Sequence, residues 1–166
     1  MRWNDFLKLV LAIAASEVAG IAGALFTAPA ISSGWYAALV KPALNPPAWV
    51  FGPVWTTLYA LMGVSLFLIW KQHSNILQNV GMLRMWKMGI AVFFVQLILN
   101  ALWPALFFGL HSPRMAFVGI IFLWLAILLT IIAFAKISKP AAWLLAPYIL
   151  WISFAAYLNY SIWMLN

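Results

Sequence analysis

Five long apolar segments constrain this chain more than any other feature. Each is close to the roughly 20 residues that cross the hydrocarbon core of a bilayer. The runs are continuous rather than alternating, which favours helices over barrel strands as the way to satisfy the backbone in lipid. We place them at residues 7–26, 47–70, 88–110, 115–135 and 141–163. The pattern predicts an all-α integral membrane protein, a bundle of five transmembrane helices forming one domain over residues 1–166.

The composition of the chain also indicates an integral membrane protein. The chain is 67% hydrophobic and 7% charged, so it has more apolar surface than a core of this size can bury. The net charge is +7, but the nine basic residues are scattered singly between apolar runs, and we expect no nucleic-acid partner. Without cysteine, the chain has no disulfide, thiolate metal site, covalent haem attachment or cysteine nucleophile.

The basic residues also predict orientation. Seven of the nine lie on the side of the amino terminus: Arg2, Lys8, Lys71, Arg84, Lys87, Lys136 and Lys139. The other side has Lys41 and Arg114. The positive-inside rule therefore predicts a cytoplasmic amino terminus if the host membrane is a plasma membrane. Compact loops and the absence of a charged carboxy-terminal tail favour a bacterial membrane.

A loop rich in proline and aromatic residues joins the first two segments. Pro42, Pro46 and Pro47 cannot sit inside a helix and bias the preceding residues toward extended conformations. This predicts a stiff loop leading into a helix, with Pro47 in the first helical turn. The connection from Lys71 to Lys87 is polar enough to be solvated.

Polar groups are rare in the membrane segments. Glu17 is the only acid, and two interpretations stay open: a proton-relay or ligand-pairing group, or a protonated or hydrogen-bonded structural carboxyl. Gln96, Asn100 and Asn159 are expected to bond across helices more than to contact a ligand. Small residues at four-residue spacing on the first segment indicate either a tight helix pair within the chain or a dimer face: Ser16, Ala19, Gly20, Gly23 and Ala24.

Two helical faces favour a pocket. Trp55, Tyr59 and Met62 share a face of the second segment. A second face lies on the fifth segment and comprises Trp151, Ala155, Leu158 and Ile162. Prolines that bend helices open space between them: Pro53, Pro104 and Pro147. A large, flat aromatic ligand suits such a pocket, because stacking and apolar burial need no charged partner.

Conventional catalytic chemistry has no support in the chain. No serine, histidine and acid constellation, metal-ligand cluster or phosphate loop occurs, and we expect no metal and no cofactor. His73 and His111 are predicted on opposite membrane faces, so they cannot clamp one haem.

Three motifs match one family. The stretch from Trp35 to Tyr59 reads WYAALVKPALNPPAWVFGPVWTTLY, QLILNALWPALFFG runs from Gln96 to Gly109, and PY, W and LNY elements follow between Pro147 and Trp163. Together they resemble the translocator protein family, also called tryptophan-rich sensory proteins or peripheral-type benzodiazepine receptors. The resemblance covers most of the chain.

The resemblance implies a five-helix bundle with a pocket under the first loop. In that family the pocket binds porphyrins, sterols in some members, and isoquinoline-type and benzodiazepine-type drugs. Carried over by motif, the ligand-binding residues are Ala24, Phe51, Gly52, Val54, Trp55, Asn100, Trp103, Trp151, Ala155 and Leu158, with Trp35 and Lys41 in a lid loop. In the family's sterol-recognition element, a basic residue follows the tyrosine. No basic residue follows Tyr160 in this chain, which weakens a sterol role.

Three functions are therefore ranked. The first is a membrane receptor, sensor or carrier for porphyrin-type tetrapyrroles. The second is an enzyme that degrades porphyrin with light and oxygen, for which Trp55 and Trp151 would be the catalytic candidates. The third is a scaffold membrane protein. The resemblance also implies a homodimer, formed by the small-residue stripe of the first helix or the apolar face of the third.

Overall fold

The computed structural model describes residues 3–166, which form only helices and short connections. The helices are α1 (Trp3–Ser32), α2 (Trp35–Ala38), α3 (Ala48–Ile76), α4 (Val80–Pro104), α5 (Pro113–Ala135), α6 (Lys139–Trp143) and α7 (Ala146–Leu165). A π-helical turn, Ala105–Gly109, extends α4. Within the described part, five spans are long and apolar enough to cross a membrane, because α4 with its π turn and α6 with α7 each count as one. The predicted five-helix membrane bundle is confirmed.

Polar side chains begin three of the helices where the sequence changes from loop to apolar run. Asn79, Ser112 and Ser138 each accept a hydrogen bond from the backbone N–H three residues later. Such capping satisfies an amide that would otherwise lack a partner at the helix start. The connections at these three caps are three residues long, so the spans that they join run antiparallel.

The helices extend beyond the predicted apolar segments. Helix α1 begins at Trp3 and continues through Pro29 to Ser32, well past the predicted end at residue 26. The predicted solvated connection from Lys71 to Lys87 is mostly helical, because α3 ends at Ile76 and α4 begins at Val80. Hydropathy marks only the part of a helix that matches the apolar core, whereas the backbone stays helical into the polar interface.

Two prolines differ from their predicted roles. Pro47 precedes α3 as its N-cap residue instead of lying in the first turn. Pro147 lies in the first turn of α7, after a break at Leu144 and Leu145, so it starts a helix rather than bending one. A proline at that position loses no hydrogen bond, since the first-turn amides have no helical acceptor. Pro53 and Pro104 do lie inside helices, and the π turn follows Pro104.

Close packing of α1 on α3 uses small residues. A Cβ atom added to Gly63 would lie 2.4 Å from the Cα of Ile13, so the two backbones can approach only because Gly63 has no side chain. Ser16 and Ala19 are buried on the same side of α1. Ser16 and Ala19 therefore serve packing within the chain, as one of the two alternatives predicts, and the dimer face stays a prediction.

The bundle has two distinct ends. At one end, residues 33–47, hereafter the lid segment, run over the helix termini; the side chain of Asn166 bonds the backbone N–H and C=O of Val40, both at 3.0 Å. Lys41 and Arg114 lie at this end. The other six described basic residues belong to the opposite end, and Arg2 lies outside the described residues. Which end faces the cytoplasm stays a prediction.

Candidate functional site

A cavity of about 850 Å³ lies between α1, α3, α4 and α7, under the lid segment. Its volume is within the range of about 300–1,000 Å³ typical of small-molecule sites. Nine of the ten residues expected to bind a ligand line it: Ala24, Phe51, Gly52, Trp55, Asn100, Trp103, Trp151, Ala155 and Leu158. Residues far apart in the chain are thus brought around one space.

Val54 is the exception among these ten residues. It lies on the neighbouring face of α3, in a shallow apolar groove between α3 and α7. Successive helical residues point about 100° apart, so Val54 points away from the cavity whereas Trp55 points into it. Trp151 lines both the cavity and the groove and is the wall between them.

The lid segment covers the cavity with Lys41 and Tyr36. The Lys41 ammonium lies 4.7 Å from the centre of the Tyr36 ring and donates to the carbonyl oxygens of Ala37 and Leu39. Both side chains line the cavity. Burial raises the pKa of the Tyr36 phenol, so this group stays a neutral hydrogen-bond donor.

Trp35, the other expected lid residue, does not line the cavity. Its ring stacks on His111 at 4.4 Å and meets the edge of Phe107 at 5.7 Å. Phe107 belongs to the π turn and does line the cavity. Trp35 therefore attaches the lid segment to the end of α4 rather than facing a ligand.

One stripe of α1 runs along the whole cavity. Its members recur every three or four residues: Glu17, Gly20, Ala24, Thr27 and Ile31. At 1.5 Å per residue, the stripe from Glu17 to Ile31 is about 21 Å long. Glu17, near the middle of α1, marks the inner end of the cavity, and Ile31 lies near the lid segment.

A chain of buried hydrogen bonds forms the floor. The Tyr59 hydroxyl donates to Asn100 Oδ1, and Asn100 Nδ2 donates to the Tyr148 hydroxyl at 2.8 Å. Tyr148 in turn donates to Gln96 Oε1 at 3.0 Å. These side chains come from α3, α4 and α7, so the network joins three spans. Gln96 and Asn100 do bond across helices, as expected, and Asn100 also faces the cavity.

A second polar bridge joins α4, α5 and α7. The indole N–H of Trp103 donates to Asn159 Oδ1 at 3.2 Å, and Asn159 Nδ2 donates to the carbonyl oxygen of Pro113 at 2.7 Å. Trp103 is thereby held with its ring toward the cavity.

The aromatic wall on α3 is ordered by close packing. Trp55 stacks on Tyr59 with ring centres 5.5 Å apart, and Tyr59 lies against Gly20 of α1. A Cβ atom at Gly20 would lie 2.3 Å from the Tyr59 ring. The position of this wall therefore depends on a glycine in another helix.

Trp151 carries an unsatisfied donor. Within residues 3–166, its indole N–H is the one buried side-chain polar group without a hydrogen-bond partner. An unpaired buried donor costs about 1–3 kcal/mol, and native structures retain few of them. A ligand with an acceptor atom would satisfy it.

Sequence reasoning missed some of the lining. Tyr59 shares its helical face with Trp55 but is not among the predicted site residues, and neither are Phe107 and Phe108, although all three line the cavity. Both phenylalanines belong to the π turn after Pro104, where the helical register differs from that of an α-helix. Glu17 was recognised as unusual, but its place in the cavity follows from the packing of α1.

The arrangement can bind and position a ligand, and it offers little conventional chemistry. Over residues 3–166, no group of three histidine, aspartate or glutamate side chains could hold a metal ion. His73 packs on Trp86 at 4.6 Å and His111 on Trp35, at opposite ends of the bundle. The fold and the site define a class: an integral membrane protein of five helices with a lidded, aromatic cavity.

Comparison with known proteins identifies the family. The model of the TspO/MBR family matches residues 12–164. The chain is 44% identical to the tryptophan-rich protein TspO of Chlorobaculum tepidum, over 98% of each chain. It is 44% identical to the protein of the same name from Archaeoglobus fulgidus, over 98% of this chain and 99% of that one. It is 38% identical to the human translocator protein, over 80% of this chain and 75% of the human one. The chain belongs to the TspO/MBR family, and the resemblance seen in its motifs is confirmed.

Proposed function

We propose that this multi-pass membrane protein is a receptor, sensor or carrier that binds porphyrin-type tetrapyrroles in the cavity. The observation that carries the proposal is an aromatic cavity of about 850 Å³ that combines stacking surfaces with an unpaired buried donor, the Trp151 indole. A flat macrocycle would bury its faces against Trp55 and Trp151, and one of its acceptor atoms would pair with the donor.

Charge supports the same ligand class. Lys41 is the basic residue that lines the cavity, and it belongs to the lid segment. Porphyrins carry acidic side chains at one edge, and these would pair with the ammonium of Lys41 while the macrocycle extends inward. Isoquinoline-type and benzodiazepine-type ligands would occupy the same aromatic surfaces, and a sterol role has the weaker basis noted for Tyr160.

The test is a titration of the detergent-purified protein with protoporphyrin IX in the dark, followed by tryptophan quenching. We expect saturable binding in the micromolar range, weakened on the order of tenfold or more by Ala155→Leu, because the larger side chain fills the cavity. Ala135→Leu is the control, since it makes the same change at an exposed site at the end of α5, away from the cavity. Absence of saturation, or equal binding by Ala155→Leu, would contradict the proposal.

A second candidate function is light-driven degradation of porphyrin with oxygen as the oxidant. The observation that favours it is the presence of two indoles, Trp55 and Trp151, in the wall of the cavity. The titrated samples would be illuminated in air: bleaching that disappears in Trp55→Phe while binding is kept would support an enzyme. Equal bleaching by parent and variant would leave the receptor or carrier role.

We further propose a homodimer in a bacterial membrane. Helix α4 presents an exposed apolar face that includes Phe94, Val95, Ile98 and Leu102. The small residues of α1 are used within the chain, so this face of α4 is the better of the two surfaces considered. The test is disulfide crosslinking of Ile98→Cys in membranes, with Phe122→Cys on the exposed face of α5 as the control.

A further inference from the structure

Glu17 lies at the inner end of the cavity without a partner. It lines the cavity near the middle of α1, and it forms no hydrogen bond or ion pair with any side chain between residues 3 and 166. Two polar groups of the cavity are already occupied: the Tyr59 hydroxyl donates to Asn100 and the Thr27 hydroxyl donates to Gly23. The Trp151 indole, whose N–H is unpaired, does not donate to Glu17 either.

The charged groups of the cavity are far apart. Lys41 belongs to the lid segment and bonds carbonyl oxygens there, whereas Glu17 is about 21 Å along α1 from the lid end of the stripe. Glu17 therefore has no cationic partner among residues 3–166. An ionised carboxylate in a medium of low dielectric is unfavourable unless a cation pairs with it, and a cationic group of a ligand would provide that pairing.

We propose that Glu17 is a ligand-binding residue that selects flat aromatic ligands carrying a protonated amine. The amine enters first and pairs with the carboxylate, while the aromatic body lies between Trp55 and Trp151. The cavity then recognises two kinds of charged group, acidic ones at Lys41 and cationic ones at Glu17. This inference rests on the proposed function, because it requires the cavity to bind aromatic ligands.

The experiment compares two fluorescent probes of nearly equal shape, 1-pyrenemethylamine and 1-pyrenemethanol, by energy transfer from tryptophan in the same neutral detergent. We expect the parent to bind the amine on the order of tenfold more tightly than the alcohol. Glu17→Gln removes the charge at constant shape and should reduce this preference to about twofold or less. Asp5→Asn removes the only other acidic residue of the chain, which does not line the cavity, and should keep the preference.

The outcomes separate the two proposals. A preference that survives in Glu17→Gln, or a parent that binds amine and alcohol equally, overturns the role of Glu17. If the parent also binds protoporphyrin IX, the proposed function stands while this inference fails. If the parent binds neither porphyrin nor either pyrene, both fail. Melting temperatures of the three proteins measured beside the titrations show whether each variant is folded.

Discussion

At the scale of single residues, the floor of the cavity depends on hydroxyl and amide groups that satisfy one another. Tyr148 is fully buried and bridges Asn100 and Gln96, so its hydroxyl acts as both acceptor and donor. In lipid no water can replace a missing partner, and a half-satisfied network is worse than an apolar one. Asn100 belongs both to this network and to the lining of the cavity, so a change in the network also changes the cavity wall.

Tyr148→Phe tests this network. The change leaves one donor of Asn100 and one acceptor of Gln96 buried without a partner, and we expect it to cost about 1–3 kcal/mol of stability. Thermal unfolding in detergent is the measurement. Tyr157→Phe on the same helix is the control, because Tyr157 is 47% exposed and its loss of a hydroxyl should cost little. If the two variants have equal melting temperatures, the network does not contribute to the stability of the fold.

At the scale of elements, close packing and the cavity occupy different parts of the same helix pair. Helices α1 and α3 touch backbone to backbone at Gly63, and the residues of both helices that line the cavity lie between this contact and the lid segment. Pro53 lies inside α3 near that opening, and the π turn after Pro104 brings Phe107 inward. The inner half of the bundle is thus packed tightly, and the outer half has room for a ligand.

Gly63→Ala is expected to separate this helix pair. The added Cβ would meet the backbone of Ile13, which cannot move aside as a flexible side chain does, so we predict a loss of about 1–3 kcal/mol despite the better helix propensity of alanine. Gly52→Ala on the same helix is the matched control, since nothing lies within 4 Å of its Cβ position. We expect that variant to melt at or above the parent temperature, and a drop of similar size in both would count against the close approach.

At the scale of the whole molecule, the two ends of the bundle differ in charge, and the cavity lies toward one of them. The lid end has Lys41, Arg114 and the cavity, and the other end has most of the basic residues. Since basic residues concentrate on the cytoplasmic side of membrane proteins, the cavity is predicted to open away from the cytoplasm in a plasma membrane. A receptor or carrier would then take its ligand from the outer leaflet or from beyond it.

Single cysteines test this orientation directly, because the parent has none. The two variants are Leu44→Cys and Leu77→Cys. Leu44 belongs to the lid segment and is 64% exposed, and Leu77 belongs to the connection at the opposite end and is 52% exposed. In intact cells a membrane-impermeant maleimide should label the first and spare the second until the membrane is opened. Labelling of Leu77→Cys alone in intact cells would reverse the predicted topology.

The sequence by itself determined the five spans, their antiparallel order and the family, because bilayer thickness and backbone hydrogen bonding allow few alternatives to apolar helices of that length. It also indicated which faces of α3 and α7 carry the aromatic residues. Helical periodicity is a local property that the chain shows directly. The predicted single domain and the predicted binding residues stay predictions, although nine of those ten residues surround one cavity.

Only the tertiary structure decided how the faces meet. The position of Val54 outside the cavity, the use of Trp35 as an attachment for the lid segment and the place of Glu17 all depend on helix rotation and crossing. These are set by contacts between distant residues, such as Gly63 with Ile13 and Gly20 with Tyr59. No local pattern contains them, because a helix in lipid is apolar on every side and its rotation is chosen by packing, not by hydropathy.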